Sequence, residues 1–132
     1  MAAPFESLDF VYMPSRDPAG DLEYFERVLG ARVVFAIDDG GTRVAMLQLT
    51  DGGPPVLLAN HLDGTTPILV YRVPTLQGAM LELESRGWER GVTLELPHGP
   101  GCSFRTPGGH RIAIYELARP FMDGHFAGRR DF

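Results

Sequence analysis

The sequence predicts an α+β fold, two βαβββ modules whose mixed sheets curve around a shared cavity. Three observations predict it. One order of elements, a strand, a helix and three strands, is readable over residues 7–60 and again over residues 66–117. Each predicted helix closes on a glycine, Gly30 and then Gly87, the residue that turns left-handed at a helix end with least strain. The chain carries 16 glycines and 11 prolines, as a turn-dense β protein requires. One copy of a repeated unit cannot bury its apolar face alone, so the copies must stack or pair. Two copies placed together leave a concave space of the kind that binds small molecules.

The elements follow in order. Leu8 to Met13 is an apolar, β-favouring run around a single early Asp9. Asp17 then caps a helix and Pro18 suits its first turn. Leu22, Phe25, Val28 and Leu29 recur at helical spacing and predict one buried face on a helix over 18–29. Arg32 to Ile37 is a strand closed by the turn Asp38-Asp39-Gly40-Gly41, and Thr42 to Thr50 and Pro55 to Asn60 are the next two. The polar stretch His61 to Thr66 is the linker. Ile68 to Val73 opens the second module, Thr75 to Arg86 is its helix, and Val92–Leu96, Cys102–Arg105 and Arg111–Leu117 are its strands. The tail, residues 118–132, has no clear period, although Phe121, Phe126 and Phe132 offer anchors.

Composition narrows the function. The 132 residues suit a single domain, and 44% hydrophobic with 22% charged content is ordinary for a soluble protein. Net charge is -5, and the densest basic spot is only Arg129-Arg130, so nucleic acid is not an expected partner. No apolar run approaches membrane length, and the first residues lack the pattern of a signal peptide. The lone Cys102 excludes an internal disulfide and fits a reducing compartment. These features predict a cytoplasmic protein.

Three motifs carry a resemblance. They are Leu8-Asp9-Phe10-Val11-Tyr12 running on to Asp17, the helix LEYFERVLG over 22–30, and the hairpin SFRTPGGHRIAIYE over 103–116. In order and spacing they resemble the vicinal oxygen chelate superfamily, which holds glyoxalase, bleomycin-resistance and extradiol-dioxygenase proteins. That resemblance implies four metal-ligand positions, two per module. They fall on Phe10, Leu57, Ile68 and Ala113, where Val56 and Leu58 are no better as neighbours of Leu57. None offers the N, O or S donor that a divalent cation needs. No metal and no other cofactor is expected.

Alternation along the strands extends this set. With Phe10, Ile68 and Ala113 on the cavity face, Tyr12, Val70, Arg72, Arg111 and Tyr115 share it, as Ala59 does with Leu57. Tyr12 and Tyr115 either fill the interior or offer hydroxyls to a ligand. Arg72, inside ILVYRV, needs a partner: a structural carboxylate such as Glu95 or Glu116, or a ligand's acidic group. His98, in the glycine-rich segment 97–101, borders the same pocket. The spacing of His98, Cys102 and His110 matches no metal motif. Cys102 has no adjacent base to make it a nucleophile.

The favoured function is a metal-free small-molecule-binding protein that sequesters or carries a small organic ligand. The alternative is a lyase, epimerase or dioxygenase of the same superfamily, using displaced metal ligands or acid–base residues. A homodimer is expected, because two short modules leave sheet edges and apolar rims uncovered. The resemblance implies pairing as well.

Overall fold

A computed structural model describes residues 3–132. The chain is α+β and falls into two compact units, Phe10–Pro67 with Asp123–Phe132, and the chain up to Asp9 with Ile68–Met122. Strand β1 (Ser7–Pro14) is therefore divided between them after Asp9.

In the first unit β1 leads to helix α1 (Pro18–Glu23), which continues as a π-helical turn over Tyr24–Val28. Strands β2 (Arg32–Asp39), β3 (Thr42–Gln48) and β4 (Val56–Ala59) follow. The order is β2-β3-β4-β1, antiparallel except for the parallel pair β1–β4. A parallel pair needs a long crossover connection, and α1 with the β2–β3 hairpin supplies it. Asp17 caps α1 as the sequence predicts, accepting from the Gly20 N–H at 3.2 Å. Gly30 ends it with φ 79°. Beneath α1 lie Leu22, Ala36, Ala45, Leu47, Val56 and Leu58, all buried.

The second unit repeats the plan. Strand β5 (Ile68–Val73), helix α2 (Leu76–Glu84), β6 (Val92–Leu96), β7 (Gly99–Arg105) and β8 (Arg111–Glu116) give the order β5-β8-β7-β6, with β5 and β8 parallel. Thr75 caps α2 through the Gly78 N–H, and Glu116 at the end of β8 accepts from the Leu76 N–H at 2.9 Å. Val73, Leu76, Met80, Cys102 and Ile114 form the core under α2, with Tyr71, Trp88 and Phe104 packed on it. Burial pushes the Cys102 thiol up, which suits a packing role.

Two expectations are corrected. Val28 and Leu29 do not join the buried helix face: they are 64% and 51% exposed. The cause is the π-helical turn, in which the Leu29 N–H donates to the Tyr24 carbonyl. Such a turn takes about one residue more than an α turn and carries Val28 off the stripe of Leu22 and Phe25. Second, β7 begins at Gly99, so His98 stands in a tight turn with Pro97 and not in a glycine-rich loop. The tail, for which the sequence offered Phe126 and Phe132 as anchors, is structured, and Phe132 packs against the core of the first unit. Helix α3 (Met122–Phe126) sets the Phe126 ring 5.6 Å from that of Phe35. Residues 128–131 then run beside β2, with hydrogen bonds from Gly128 to Val34, Ala36 to Arg129 and Asp131 to Ala36.

Close backbone approach makes a sharp test. A Cβ at Gly99 would stand 1.9 Å from the Glu116 carbonyl oxygen, whereas one at Gly108 meets only the end of the His110 side chain at 3.3 Å. Gly99→Ala should therefore lower stability by at least about 2 kcal/mol, the scale of forced overpacking. Gly108→Ala should stay within about 0.5 kcal/mol. Urea denaturation of the two variants checks both.

Candidate functional site

The four strands of each unit have a second face, opposite the unit's helix, and the candidate residues lie there. In the first unit, register alone assembles an apolar row across all four strands. Phe35 pairs with Met46, Met46 with Leu57, and Leu57 with Tyr12. Directly paired residues point to one side, so these share the face opposite Ala36, Ala45 and Leu58. All four are buried, as are Phe10 and Ala59. The Phe10 and Tyr12 rings meet edge to face at 6.5 Å.

In the second unit, β5 and β8 pair Ile68 with Arg111, Val70 with Ala113, and Arg72 with Tyr115. Period-two alternation sets these six opposite Tyr71, Val73 and Ile114, which pack under α2. Ile68, Val70, Ala113 and Tyr115 are buried, while the two arginines are half-buried. His98 is buried too, its ring edge-on to that of Tyr115 at 6.5 Å. The structure thus gathers Phe10, Tyr12 and Leu57 in one unit, and Ile68, Val70, Arg72, His98, Arg111, Ala113 and Tyr115 in the other.

One carboxylate organises the polar part of that second face. Arg72 Nε donates to Asp9 Oδ2 at 2.9 Å and its Nη2 donates to Asp9 Oδ1 at 3.4 Å. The Tyr115 hydroxyl also donates to Asp9 Oδ2, and the Ser7 hydroxyl donates to Oδ1 at 2.5 Å. The Asp9 side chain is 14% exposed and that of Arg72 36%. Burial by itself would raise the Asp9 carboxyl, but the donors Ser7, Tyr115 and Arg72 outweigh it and hold the group below the ordinary aspartate range. The same pairing raises Arg72. This corrects the expected partner of Arg72. Glu95 instead pairs with Arg119 at 2.9 Å, and Glu116 caps α2. The sequence signal for Asp9 was present, as the one charged residue in an apolar strand, but nothing in the order of residues joins β1 to β5 and β8.

Comparison with known proteins follows from this geometry. No protein-family model matches the chain, and no curated protein matches it. Solved structures do match. A methylmalonyl-CoA epimerase from Mycobacterium tuberculosis aligns with TM-score 0.73 at 21% identity, covering 92% of this chain and 95% of that one. A hypothetical protein from Bacillus halodurans aligns at 0.71 and 13% identity, covering 86% and 95%. A Streptomyces coelicolor methylmalonyl-CoA epimerase variant in complex with 2-nitronate-propionyl-CoA aligns at 0.69 and 14%, covering 87% and 99%. Those epimerases are vicinal oxygen chelate proteins.

The chain has the vicinal oxygen chelate fold.

Metal enzymes with the vicinal oxygen chelate fold need donor side chains on their strands. At the four positions aligned from the sequence, Phe10, Leu57, Ile68 and Ala113 are buried and offer only carbon. Among the described residues, no three of His, Cys, Asp and Glu stand close enough to share a cation. The side chains present do not fit a divalent metal at those places.

The Asp9 cluster yields a pH prediction. A carboxyl held below its ordinary value, about 3.9 for aspartate, contributes stability above that pH. The contribution is lost as pH falls through the lower, folded-state value, because the unfolded chain binds the proton first. Asp9→Asn should cost about 1–3 kcal/mol at neutral pH, the range for hydrogen bonds to a charged group. The gap between wild type and variant should narrow below pH of about 3.9. Arg72→Met should cost about 1–2 kcal/mol, since Ser7 and Tyr115 still serve the carboxylate. Chemical denaturation from neutral to acid pH checks all three.

Proposed function

We propose that this protein is a metal-free small-molecule-binding protein of the glyoxalase/bleomycin-resistance type, which sequesters or carries a small organic ligand. What supports the reading is that the four ligand positions implied by the resemblance fall on the buried, donor-free side chains of Phe10, Leu57, Ile68 and Ala113. Apolar surface with a few directed polar groups is the usual make-up of a small-ligand site. On the second unit's face, Ile68 and Val70 present apolar surface for a flat or apolar body. The arginines suit an acidic end, and the Tyr115 oxygen, whose proton goes to Asp9, can still accept a hydrogen bond. Arg72, held by Asp9, and Arg111, beside Ile68, are the two guanidinium groups on that face that suit the ligand's acidic group.

A second reading has support from the neighbours. They include a methylmalonyl-CoA epimerase in complex with methylmalonyl-CoA, and the Asp9–Tyr115 pair holds an acceptor against a hydroxyl donor. Proton abstraction needs a base matched to the working pH. A carboxylate stabilised below its ordinary range is a weak base, so binding is the preferred reading.

Elemental analysis and mass spectrometry of the purified protein test the proposal together. The expected result is no stoichiometric transition metal, with an organic molecule retained by the native protein. One Fe, Co, Mn, Zn or Ni per chain, or deuterium uptake from heavy water into added methylmalonyl-CoA, would favour the enzyme. For an aromatic carboxylate that binds, Arg111→Met should weaken affinity about tenfold or more, the scale of one charge-assisted hydrogen bond. The matching neutral amide should bind both proteins alike. Calorimetric titration of the two compounds reads the difference.

A further inference from the structure

The apolar face of the first unit carries one polar atom that the chain does not serve. Gln48 ends β3, two residues after Met46, so period-two alternation puts its side chain on the face of Phe35, Met46, Leu57 and Tyr12. Its Oε1 is buried and has no hydrogen-bond partner. Buried side-chain oxygens in folded proteins are nearly always paired, and each exception asks for a reason.

The neighbours of Gln48 explain the missing donor. Met46, along the same strand, is apolar. Continuing the Leu47–Val56 and Val11–Val56 registers by one residue sets Pro55 across from Gln48, with Phe10 beyond it. Proline has no N–H, and a phenyl ring has no polar atom. The cross-strand partner is Arg32, which is exposed and leaves Oε1 unserved. A β-bulge after Val33 keeps the rows in line. Arg32 and Phe35, three residues apart on β2, face Gln48 and Met46, two apart on β3. Bulges re-aim side chains and are over-represented beside active sites.

We propose that Gln48 Oε1 is the recognition group for a hydrogen-bond donor, an N–H or O–H, on the ligand. The inference rests on the small-molecule reading above and narrows the ligand to an apolar body that bears such a donor. Phe10 and Met46, both buried, flank the oxygen and supply the apolar contact. An acceptor left unpaired destabilises the free protein, and a donor brought by the ligand offsets that cost. Local rules broken in this way concentrate at functional sites.

Gln48→Met keeps the length of the side chain and removes the acceptor, and two measurements on it test the proposal. Without added ligand, its melting temperature should equal or exceed that of wild type, because a desolvated oxygen is gone. A fall would show that the oxygen is already served, by water or by the chain, and would overturn the proposal. The second measurement is an NMR titration with indole and 2-naphthol, and with 1-methylindole and 2-methoxynaphthalene, which lack the donor. Wild type should bind each donor about tenfold more tightly than its methylated analogue, the scale of one hydrogen bond to an otherwise unpaired acceptor. Gln48→Met should bind both members of each pair alike. Equal binding by wild type, binding of none of the four compounds, or a preference that survives in Gln48→Met would overturn the role of Gln48. The small-molecule reading is judged separately, by whether the native protein retains an organic molecule.

Discussion

Asp9 holds this structure to its plan. It lies in the first sequence repeat, yet its carboxylate takes hydrogen bonds from Arg72 and Tyr115 of the second. The compact unit built on β5 to β8 therefore includes the chain up to Asp9. Three donors around one partly buried carboxylate satisfy it well enough to stay ionised despite desolvation. The arrangement also fixes side chains that the ligand proposal needs, since the Tyr115 ring and the Arg72 stem are held from their polar ends.

Much of the fold was legible because each module states its elements locally. Asp17-Pro18 starts one helix and Gly30 ends it, and Thr75 and Gly87 do the same for the other. Strands β5 and β6 fall where alternation and turn residues put them. What escaped the sequence was non-local or one residue out of step. The π-helical turn adds one residue to a helix whose apolar spacing is otherwise regular, and that moves Val28 to the surface. The tail has no period of its own because its structure is borrowed from β2, more than ninety residues away, where the Asp38 N–H donates to the Asp131 carboxylate across a separation of 93 residues. Arg72 was rightly assigned a need for a carboxylate, but the supplier came from the chain's first strand.

The candidate site was legible as a set of faces and illegible as a constellation. Alternation put Ile68, Val70 and Arg72 together, and the β5–β8 register sets them beside Arg111, Ala113 and Tyr115. Leu57 joined Phe10 and Tyr12 only through the positions the resemblance implies, and Met46 and Phe35, which complete the row, were missed. The fold comes from the crossover helices and strand pairing, and chemistry from a few side chains that the fold does not require.

The strap over β2 bears on how the chain is made. Until residues 128–131 emerge from the ribosome, the outer strand of the first unit has no cover, while the whole second module is being translated. Nascent chains with open edges are targets for wrong pairing. The turn Asp38-Asp39-Gly40-Gly41 places two acids at the end of that strand, and Arg32 stands exposed at its start. Charges at the ends of an edge strand disfavour wrong pairing, and in the folded chain the Asp38 N–H donates to the Asp131 carboxylate of the strap.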